Sequence, residues 1–443
     1  MLTAYRSRAT MTKGFIFTIC AAVLLLISGC SSFESQPFQV RPPEWVTDSF
    51  LAAAVEFNPE LNQLDKNINR LAEEVEKALQ KGARLVVTPE MATTGYQYAS
   101  REAIRPFVDT IPGKTTARFG ALAEKYNAYI ALGMAERDPK TDIFYNSAAL
   151  VGPDGYIGKY RKLHLWEAEE HWAAWGDTGV PVFDTELGRM AINICMDAAY
   201  YESARLAGLG GADILLFLTN SSGQAVAALP ARAQQNGMYI VSANRSDTEL
   251  DFHMVGISAI WSPTGRKLAE SPYSGKENKS VPETVIIYAE IDPALYQNKY
   301  RDGFSDRRPE LYKDLMLKIA PWDYTKNTTS HDVTATALQY EPVIGDKAAN
   351  LDKIEDMIIA AKSDNPALGL AVLPELAVTG PVDHLTIEQI RSLAEPADGA
   401  AYRTMARIAK KHAVAIVYGL PEKDENGLYN TAVLIDAAGE LIG

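Results

Sequence analysis

The sequence has few cysteines and few basic residues for its length. Its 443 residues include three cysteines, Cys20, Cys30 and Cys195, and its formal net charge is −13 at pH 7. A nucleic-acid partner needs a basic patch with interleaved aromatic residues, and no such patch occurs. Hydrophobic residues make up 47% of the chain and charged residues 22%, which is typical of a protein with a packed core. These values exclude a disordered chain and disfavour binding to nucleic acid.

Long apolar runs are also scarce, because only residues 14–27 form one. This run is shorter than the ~20 residues that a membrane-spanning helix needs. It follows basic residues, which indicates the core of a signal peptide. It ends in Leu26-Ile27-Ser28-Gly29-Cys30, which resembles the bacterial lipobox. A plain signal peptide or a retained N-terminal anchor is the alternative.

The lipobox resemblance implies that Cys30 is lipidated and becomes the mature N-terminus. Ser31 follows it, and the sorting rule for such proteins then implies the outer membrane. We therefore expect a lipid-anchored protein of the bacterial cell envelope, on the periplasmic face of the outer membrane. Met11 is an alternative start that would shorten the basic region.

Cys195 is left as a single thiol after this processing, because Cys20 departs with the signal and Cys30 is acylated. A lone thiol in an oxidising compartment cannot form an intramolecular disulfide, so its retention suggests a chemical role. A buried, inert cysteine is the alternative, and the count by itself favours it.

Strand-like and helix-like patterns alternate from residue 50 onward, which predicts α/β architecture. In the first predicted helix, Ile68, Leu71, Val75 and Leu79 recur at helical spacing. The predicted helices are 64–81, 116–126, 198–209 and 227–236. The predicted strands are 51–57, 84–88, 128–134, 145–151, 182–183, 190–195, 214–219, 239–243 and 285–291.

An internal repeat indicates a second copy of the same fold. The segment Leu85–Glu90 is similar to Leu370–Glu375, and Tyr145–Ala148 is similar to Tyr429–Ala432. We predict a signal peptide at 1–30, a tether at 31–49, a first domain at 50–313, a linker at 314–331 and a partial second domain at 332–443. The second copy would be either a fragment of a tandem protein or a catalytically inactive remnant, and the abrupt stop after a strand favours the fragment.

Three segments of the first domain combine residues suited to thiol chemistry. They are Thr88–Tyr96, with Glu90 after a strand, Gly158–Leu165, with Lys162, and Ala191–Asp197, with Cys195. In this order and context they resemble the Glu–Lys–Cys triad of the nitrilase superfamily, the carbon–nitrogen hydrolases. The resemblance extends from about Leu51 to Lys313.

That resemblance implies an α-β-β-α sandwich and hydrolysis through a thioester. A thiol of ordinary pKa is a weak nucleophile at pH 7 and needs a base or a cation beside it. Glu90 is the implied base. Lys162 and the backbone N–H of Met196 are the implied partners of the oxyanion. An exposed ion pair is the alternative for Glu90 and Lys162.

Further site residues are predicted near the triad. Many superfamily members position substrate with a second glutamate after the lysine, and the spacing of Trp166, Glu170 and Trp172 resembles that of aliphatic amidases. This favours Glu170, with Glu169 and then Glu167 as alternatives. The residues predicted to line a substrate pocket, or else to pack in the core, are Tyr96, Trp166 and Asn220.

No metal or cofactor is expected. His164 and His171 lack further ligands at metal-binding spacing, and hydrolysis by a thiol needs no metal. The expected partners are a small amide, carbamoyl or nitrile substrate, the membrane through the lipid, and another copy of the domain. Pairing would occur either in a homo-oligomer or within the chain as a pseudo-dimer.

The predicted reaction is hydrolysis of a non-peptide C–N bond in an amide or an N-carbamoyl group, with release of ammonia or an amine. Asp197 and Glu202 near Cys195 favour this branch, since true nitrilases usually carry Cys-Trp-Glu. The alternatives are a nitrilase, an acyltransferase and a non-catalytic scaffold module. The single apolar run disfavours the acyltransferase, which resides in a polytopic membrane protein.

Overall fold

A computed structural model describes residues 48–277, 283–317 and 332–443. The predicted signal peptide, the lipidation site Cys30 and all but the last two residues of the predicted tether lie outside these ranges. Within them, no helix combines the length and the apolar character that crossing a membrane requires. The chain divides into two units, Met1–Leu311 and Tyr312–Gly443.

The first unit contains two six-stranded sheets and a two-stranded ribbon. Its strands are β1 Phe50–Glu56, β2 Ala83–Val87, β3 Tyr129–Arg137, β4 Phe144–Gly152, β5 Gly155–Arg161, β6 Val182–Thr185, β7 Gly188–Ile194, β8 Ile214–Leu218, β9 Tyr239–Ala243, β10 Thr248–Glu249, β11 Phe252–His253, β12 Ala259–Trp261, β13 Lys267–Glu270 and β14 Val285–Ile291.

The helices of this unit lie between the strands. They are α1 Leu64–Gln80, α2 Arg101–Ile104, α3 Lys114–Tyr126, α4 Tyr201–Leu209, α5 Gln224–Ala227, α6 Leu229–Asn236 and α7 Lys299–Asp302. Short 3₁₀ segments occur at Arg105–Phe107, Cys195–Ala199, Pro293–Tyr296, Gly303–Asp306 and Pro309–Leu311. The predicted helices and strands match most of the longer elements to within a few residues, whereas the strands β5, β10, β11, β12 and β13 and the short helices α2, α5 and α7 were not predicted.

Both large sheets are mixed. The first has the order β14-β1-β2-β3-β4-β5, with β1, β2 and β3 parallel. The second has the order β13-β12-β9-β8-β7-β6, with β7, β8 and β9 parallel. In each sheet the outer strands are antiparallel to their neighbours. The carboxyl ends of the parallel strands are where α/β proteins place their sites.

The two sheets pack face to face, with helices on their outer faces. Side chains of both sheets form the core between them, including Ala52, Leu85, Ile192 and Leu216. The outer face of the first sheet packs against α1 and α3, and that of the second sheet packs against α4 and α6. In α1 the apolar positions predicted from helical spacing are buried against the sheet. The unit is therefore an α-β-β-α sandwich.

The elements of the second unit are α8 Asp314–Leu317, β15 Thr334–Ala337, α9 Lys347–Asp364, β16 Leu368–Val372, α10 Ile387–Leu393, α11 Ala400–His412, β17 Ala415–Lys423 and β18 Leu428–Ile435. Its strands form one four-stranded sheet of order β15-β16-β17-β18. β15, β16 and β17 are parallel and β18 is antiparallel, the same directions as in β1, β2, β3 and β4. Its core lies between one sheet face and the helices α9 and α11, and includes Ile354, Met405 and Ile416.

Candidate active site

Glu90 lies just past the carboxyl end of β2 and is fully buried. Its Oε1 accepts a hydrogen bond from Asn146 Nδ2 at 2.7 Å and one from Lys162 Nζ at 2.7 Å. Its Oε2 accepts from the backbone N–H of Asn220 at 2.8 Å. The next residue, Met91, has a φ of 52°, a left-handed value that side chains other than glycine rarely adopt. The chain thus turns sharply to place this carboxylate inside the protein.

Lys162 directly follows β5, and its side chain is fully buried. Its Nζ lies 2.7 Å from Glu90 Oε1 and 2.5 Å from Glu169 Oε1. Burial by itself lowers the pKa of Lys162, but the charges of Glu169 and Glu90 outweigh it and hold that pKa above its ordinary value. Lys162 is therefore a fixed ammonium between two carboxyl groups and is unable to act as a base.

Cys195 directly follows β7 and begins the 3₁₀ segment Cys195–Ala199. Its φ is 41°, so the nucleophile candidate occupies a strained turn at the end of a strand. Only 9% of the residue is exposed. Burial raises its pKa to about 12, and the negative charge of Glu90 adds to this effect while the charge of Lys162 opposes it. The resting thiol is therefore protonated near neutral pH.

Glu169 supplies the second carboxylate of the site, which corrects the sequence-based preference for Glu170. Glu169 is fully buried and accepts from Tyr96 Oη at 2.9 Å as well as from Lys162. Glu170 and Glu167 are exposed. The segment from Trp166 to Trp172 consists of tight turns, in which the N–H of Glu169 donates to Trp166 and its carbonyl accepts from Trp172. Turn geometry, which spacing along the sequence does not reveal, selects the inward carboxylate.

Burial raises the pKa of Glu169 to about 8, against the lowering effect of Lys162, and the nearby charge of Glu90 raises it further. Two carboxyl groups share one ammonium here, so the second one retains its proton more readily than an exposed glutamate does.

Asp197 holds the cysteine turn rather than facing substrate. Its Oδ2 accepts from Tyr160 Oη at 2.7 Å and from the backbone N–H of Ile194 at 2.8 Å. Its Oδ1 accepts from the backbone N–H of His164 at 3.1 Å and lies 2.8 Å from His164 Nδ1. The Cys-x-Asp and Lys-x-His patterns therefore mark the two ends of one contact, between the loop that carries Cys195 and the loop that carries Lys162.

The structure also locates Asp197, Glu202 and His164 relative to the cavity. Asp197 is buried away from the cavity and Glu202 is exposed, so neither position reports directly on substrate. His164 stacks on Tyr200 at 3.9 Å between ring centroids and binds Asp197. No cluster of potential metal ligands occurs among the residues that the structure describes.

A cavity of about 250 Å³ opens above Cys195. The predicted residues Tyr96, Trp166, Asn220 and Met196 all line it, whereas Phe252 and Arg232 were not predicted. Asn220 is 1% exposed, and its carboxamide N and O have no hydrogen-bond partner within the described ranges. The remaining lining residues are small or polar: Ala198, Ala199, Ser221, Ser222, Gln224, Ala225 and Ala228.

The fold and this buried cluster define an α/β enzyme whose reactive side chains follow the ends of its strands. The profile of the carbon-nitrogen hydrolase family matches residues 51–301 and 334–443. A nitrilase from Pyrococcus abyssi is 38% identical over 266 residues, which cover 59% of this chain and 98% of the relative. A citrullinase from Francisella tularensis subsp. tularensis is 31% identical over 279 residues, or 57% of this chain and 93% of the relative.

A solved carbon-nitrogen hydrolase from Helicobacter pylori G27 has the same fold, with a TM-score of 0.54 over 61% of this chain and 99% of that one, at 24% identity. The chain belongs to the carbon-nitrogen hydrolase family of the nitrilase superfamily, and it is an enzyme acting on C–N bonds other than peptide bonds. The family and the α/β fold predicted from the sequence are thereby confirmed.

Proposed function

We propose that this enzyme hydrolyses a small amide or N-carbamoyl compound through a thioester on Cys195. The observation that carries the proposal is the fully buried ion pair of Lys162 and Glu90 beside the thiol of Cys195, which lines the cavity. An ion pair with only a structural role does not require the strained turn at Cys195, or the carboxamide of Asn220, which has no partner among the described residues.

Glu90 acts as the general base in this proposal. The raised pKa of Cys195 means that its proton must leave as the sulfur attacks, and Lys162 holds no free lone pair. The sulfur forms a bond to the carbonyl carbon while Glu90 takes the thiol proton. As the C–N bond breaks, Glu90 returns that proton to the departing nitrogen. Water, deprotonated by Glu90, then cleaves the thioester and releases the acid.

The tetrahedral intermediate needs hydrogen-bond donors at its oxygen. Lys162 supplies one from its ammonium group. Met196 lies in the first turn of the 3₁₀ segment, where backbone N–H groups have no partner within the helix. Removal of one such donor typically lowers the rate by roughly 10²–10³-fold.

Asn220 favours amide and ureido substrates. Its buried carboxamide offers the cavity an N–H donor and a carbonyl acceptor, neither of which is paired with any residue that the structure describes. A substrate –CONH₂ group presents the complementary pair, whereas a nitrile has no N–H to donate. A nitrile is the second candidate, because the relative from Pyrococcus abyssi is named a nitrilase.

The test is release of ammonia from short aliphatic amides, N-carbamoyl amino acids and nitriles by the purified protein. We expect turnover of amides or carbamoyl compounds, loss of turnover in Cys195→Ala, and an acyl adduct on Cys195 by mass spectrometry. Unchanged turnover in Cys195→Ala would refute the mechanism. Turnover of nitriles alone would favour the second candidate, and cleavage of no C–N compound would favour a scaffold or an acyltransferase.

We also propose that residues 332–443 form a partial second copy of the domain, after a linker at 314–331. Support comes from the family match at 334–443 and from the shared strand order. Asn430 Nδ2 donates to Glu375 Oε1 as Asn146 does to Glu90. Leu376 after Glu375 has a φ of 51°, close to that of Met91. Because Glu375 is exposed and pairs with no lysine among the described residues, we expect Glu375→Gln to leave turnover unchanged.

Lipidation at Cys30, the outer-membrane location and pairing of two domains remain proposals from the sequence. Metabolic labelling with a fatty-acid probe, with Cys30→Ser as the control, tests the first. Fractionation of the envelope tests the second. Light scattering of the purified full chain distinguishes a homo-oligomer from a monomer with an internal pseudo-dimer.

A further inference from the structure

The ribbon of β10 and β11 forms one wall of the cavity. Glu249 and Phe252 are cross-strand partners in it. Phe252 lines the cavity, and its ring packs against that of Tyr96 at 5.8 Å between centroids. Leu250, in the turn, has a φ of 54° and is exposed. The ribbon therefore presents one side chain to substrate and another to the interior.

Glu249 binds the backbone of the loop that carries Tyr96. Its Oε1 accepts from the N–H of Tyr96 at 2.8 Å and from the N–H of Gln97 at 2.7 Å. Its own carbonyl accepts from Gln97 Nε2 at 2.5 Å. Gly95 has a φ of +83°, and a Cβ there would lie 2.8 Å from Glu249 Oε2. The loop and the ribbon are thus fitted to each other at close range.

Arg245 fixes the other carboxylate oxygen of Glu249. Its Nη1 lies 3.0 Å from Glu249 Oε2, and its Nε and Nη2 bind the two oxygens of Asp247 at 2.9 and 2.7 Å. Arg245 is fully buried. A buried guanidinium is retained only where carboxylates satisfy it, so this network gives the ribbon one position.

Tyr96 transmits that position to the catalytic cluster. Its hydroxyl donates to Glu169 Oε1, which also accepts from Lys162. A shift of the Tyr96 loop would therefore move or release the hydrogen bond at Glu169. A displacement of about 1 Å in a reacting group costs on the order of 10²-fold in rate.

We propose that the β10–β11 ribbon is a specificity and alignment element of the active site, in which Glu249 is a positioning residue for Tyr96 and Phe252 limits the size of the substrate. This inference rests on the proposed hydrolase function and adds residues to that same site. Neither Glu249 nor Phe252 lies close in sequence to the triad.

The test of Glu249 is Glu249→Gln, with Asp251→Asn as the matched control, because Asp251 is exposed in the turn of the same ribbon. Glutamine keeps the shape of the side chain but replaces one carboxylate oxygen by an NH₂ group. That NH₂ group faces the donors of Arg245 in one orientation of the amide and the two loop N–H donors in the other. We expect kcat to fall by about tenfold or more, with a smaller change in KM and a changed pH profile. Glu249→Asp should restore part of the rate.

A purely structural role for Glu249 would lower the melting temperature and leave the pH profile and kcat per folded molecule unchanged. That result, or an unchanged kcat in a folded Glu249→Gln, would overturn the positioning role. Asp251→Asn should behave as wild type in every assay.

The test of Phe252 is Phe252→Ala against Phe107→Ala, since Phe107 packs on Tyr98 and is absent from the cavity lining. We expect the ratio of kcat/KM for hexanamide over propionamide to rise by at least about tenfold in Phe252→Ala only, because one methylene in an apolar pocket is worth 10-fold or more. An unchanged ratio in an active, folded variant would overturn the size limit.

Binding of the same two amides to Cys195→Ala and to Cys195→Ala/Phe252→Ala, measured by calorimetry, separates this inference from the proposed function. If the wild type hydrolyses no amide, the proposed reaction fails. A preference for hexanamide that appears only in the double variant would still support the ribbon, and equal preferences in both proteins would refute it.

Discussion

The Nζ of Lys162 lies 2.7 Å from Oε1 of Glu90, and neither side chain is exposed to solvent. Glu169 approaches the same Nζ at 2.5 Å, so one ammonium balances two buried carboxyl groups. Burial is the main cause of the raised pKa of Cys195, and the charges of Glu90 and Lys162 modify it in opposite directions.

Lys162→Met should abolish turnover and also destabilise the protein, because it leaves two carboxyl groups buried without a cation. Removal of one partner of a buried ion pair typically costs about 3–5 kcal/mol of unfolding free energy. The double variant Lys162→Met/Glu169→Gln should regain part of that stability without regaining activity. Chemical denaturation measures the unfolding free energy of the single and the double variant. Lys66→Met, which breaks an exposed ion pair with Glu60, is the control and should have little effect. Equal stabilities of the single and double variants would contradict the charge-balance argument.

Cys195 should react slowly with a small neutral reagent such as methyl methanethiosulfonate near pH 7. Its pKa of about 12, against an ordinary 9.0, leaves roughly 10³-fold less thiolate, so the reaction rate should climb with pH beyond pH 9. Glu90→Gln should react faster than wild type, because a negative charge that raises the pKa of Cys195 is gone. The same variant should lose ~10²–10⁴-fold in turnover, since the base is gone. If the rate of thiol modification and the rate of turnover changed in the same direction in Glu90→Gln, the two roles given to Glu90, as a charge near the thiol and as the base, would be contradicted.

Glu169 should make the fold less stable as the pH rises. Its pKa is about 8 in the folded protein and near 4.5 as an ordinary glutamate, so the folded state binds its proton more tightly. The resulting stabilisation is fully present below about pH 4.5 and is lost as the pH rises through about 8. Glu169→Gln should flatten the wild-type decline in unfolding free energy between pH 5 and 9. Glu170→Gln, a change at the exposed neighbour, should keep that decline.

Turnover should also decline above about pH 8. Ionised Glu169 adds a second negative charge beside Glu90, where sulfur and oxygen develop negative charge during the reaction, while Lys162 and Tyr96 face it from the other elements. The pH dependence of kcat/KM for a cleaved amide measures this limb. We expect Glu169→Gln to be slower and to show the alkaline decline at higher pH. If the alkaline decline of kcat/KM occurred at the same pH in Glu169→Gln, the decline would belong to another group.

Asp197→Asn should lower both stability and activity, although Asp197 does not line the cavity. The carboxylate accepts from Tyr160 and from the backbone of Ile194 and His164, and asparagine offers only one acceptor oxygen in its place. A donor facing a buried donor costs about 1–3 kcal/mol. The melting temperature and kcat should both fall. Asp184→Asn, a change at an exposed position, is the control. A normal melting temperature with altered substrate preference would contradict this structural role of Asp197.

The parts of the site closest to strand ends were predictable from the sequence. Glu90, Lys162 and Cys195 each come after a strand, and parallel strands bring their carboxyl ends to one edge. Choosing between Glu169 and Glu170 was not possible, because the turns from Trp166 to Trp172 decide which carboxylate points inward.

The sequence did not predict contacts between segments that are far apart along the chain. Glu249 binds the N–H of Tyr96 across 153 positions, and no local pattern marks that pair. Phe252 could have been noticed only as an apolar residue near a turn. Asp197 was recognised as part of a motif, but its contacts to Tyr160 and His164 were not predicted, because they are tertiary.

The sequence by itself determined the α/β alternation and the family, and it predicted the repeat and the three residues of the triad, since these depend on local periodicity and short motifs. Only the tertiary structure decided which glutamate joins Lys162, how far the pKa of Cys195 rises, and which ribbon borders the cavity. Those properties depend on burial and on charges from separate elements, and both arise only when the two sheets pack together.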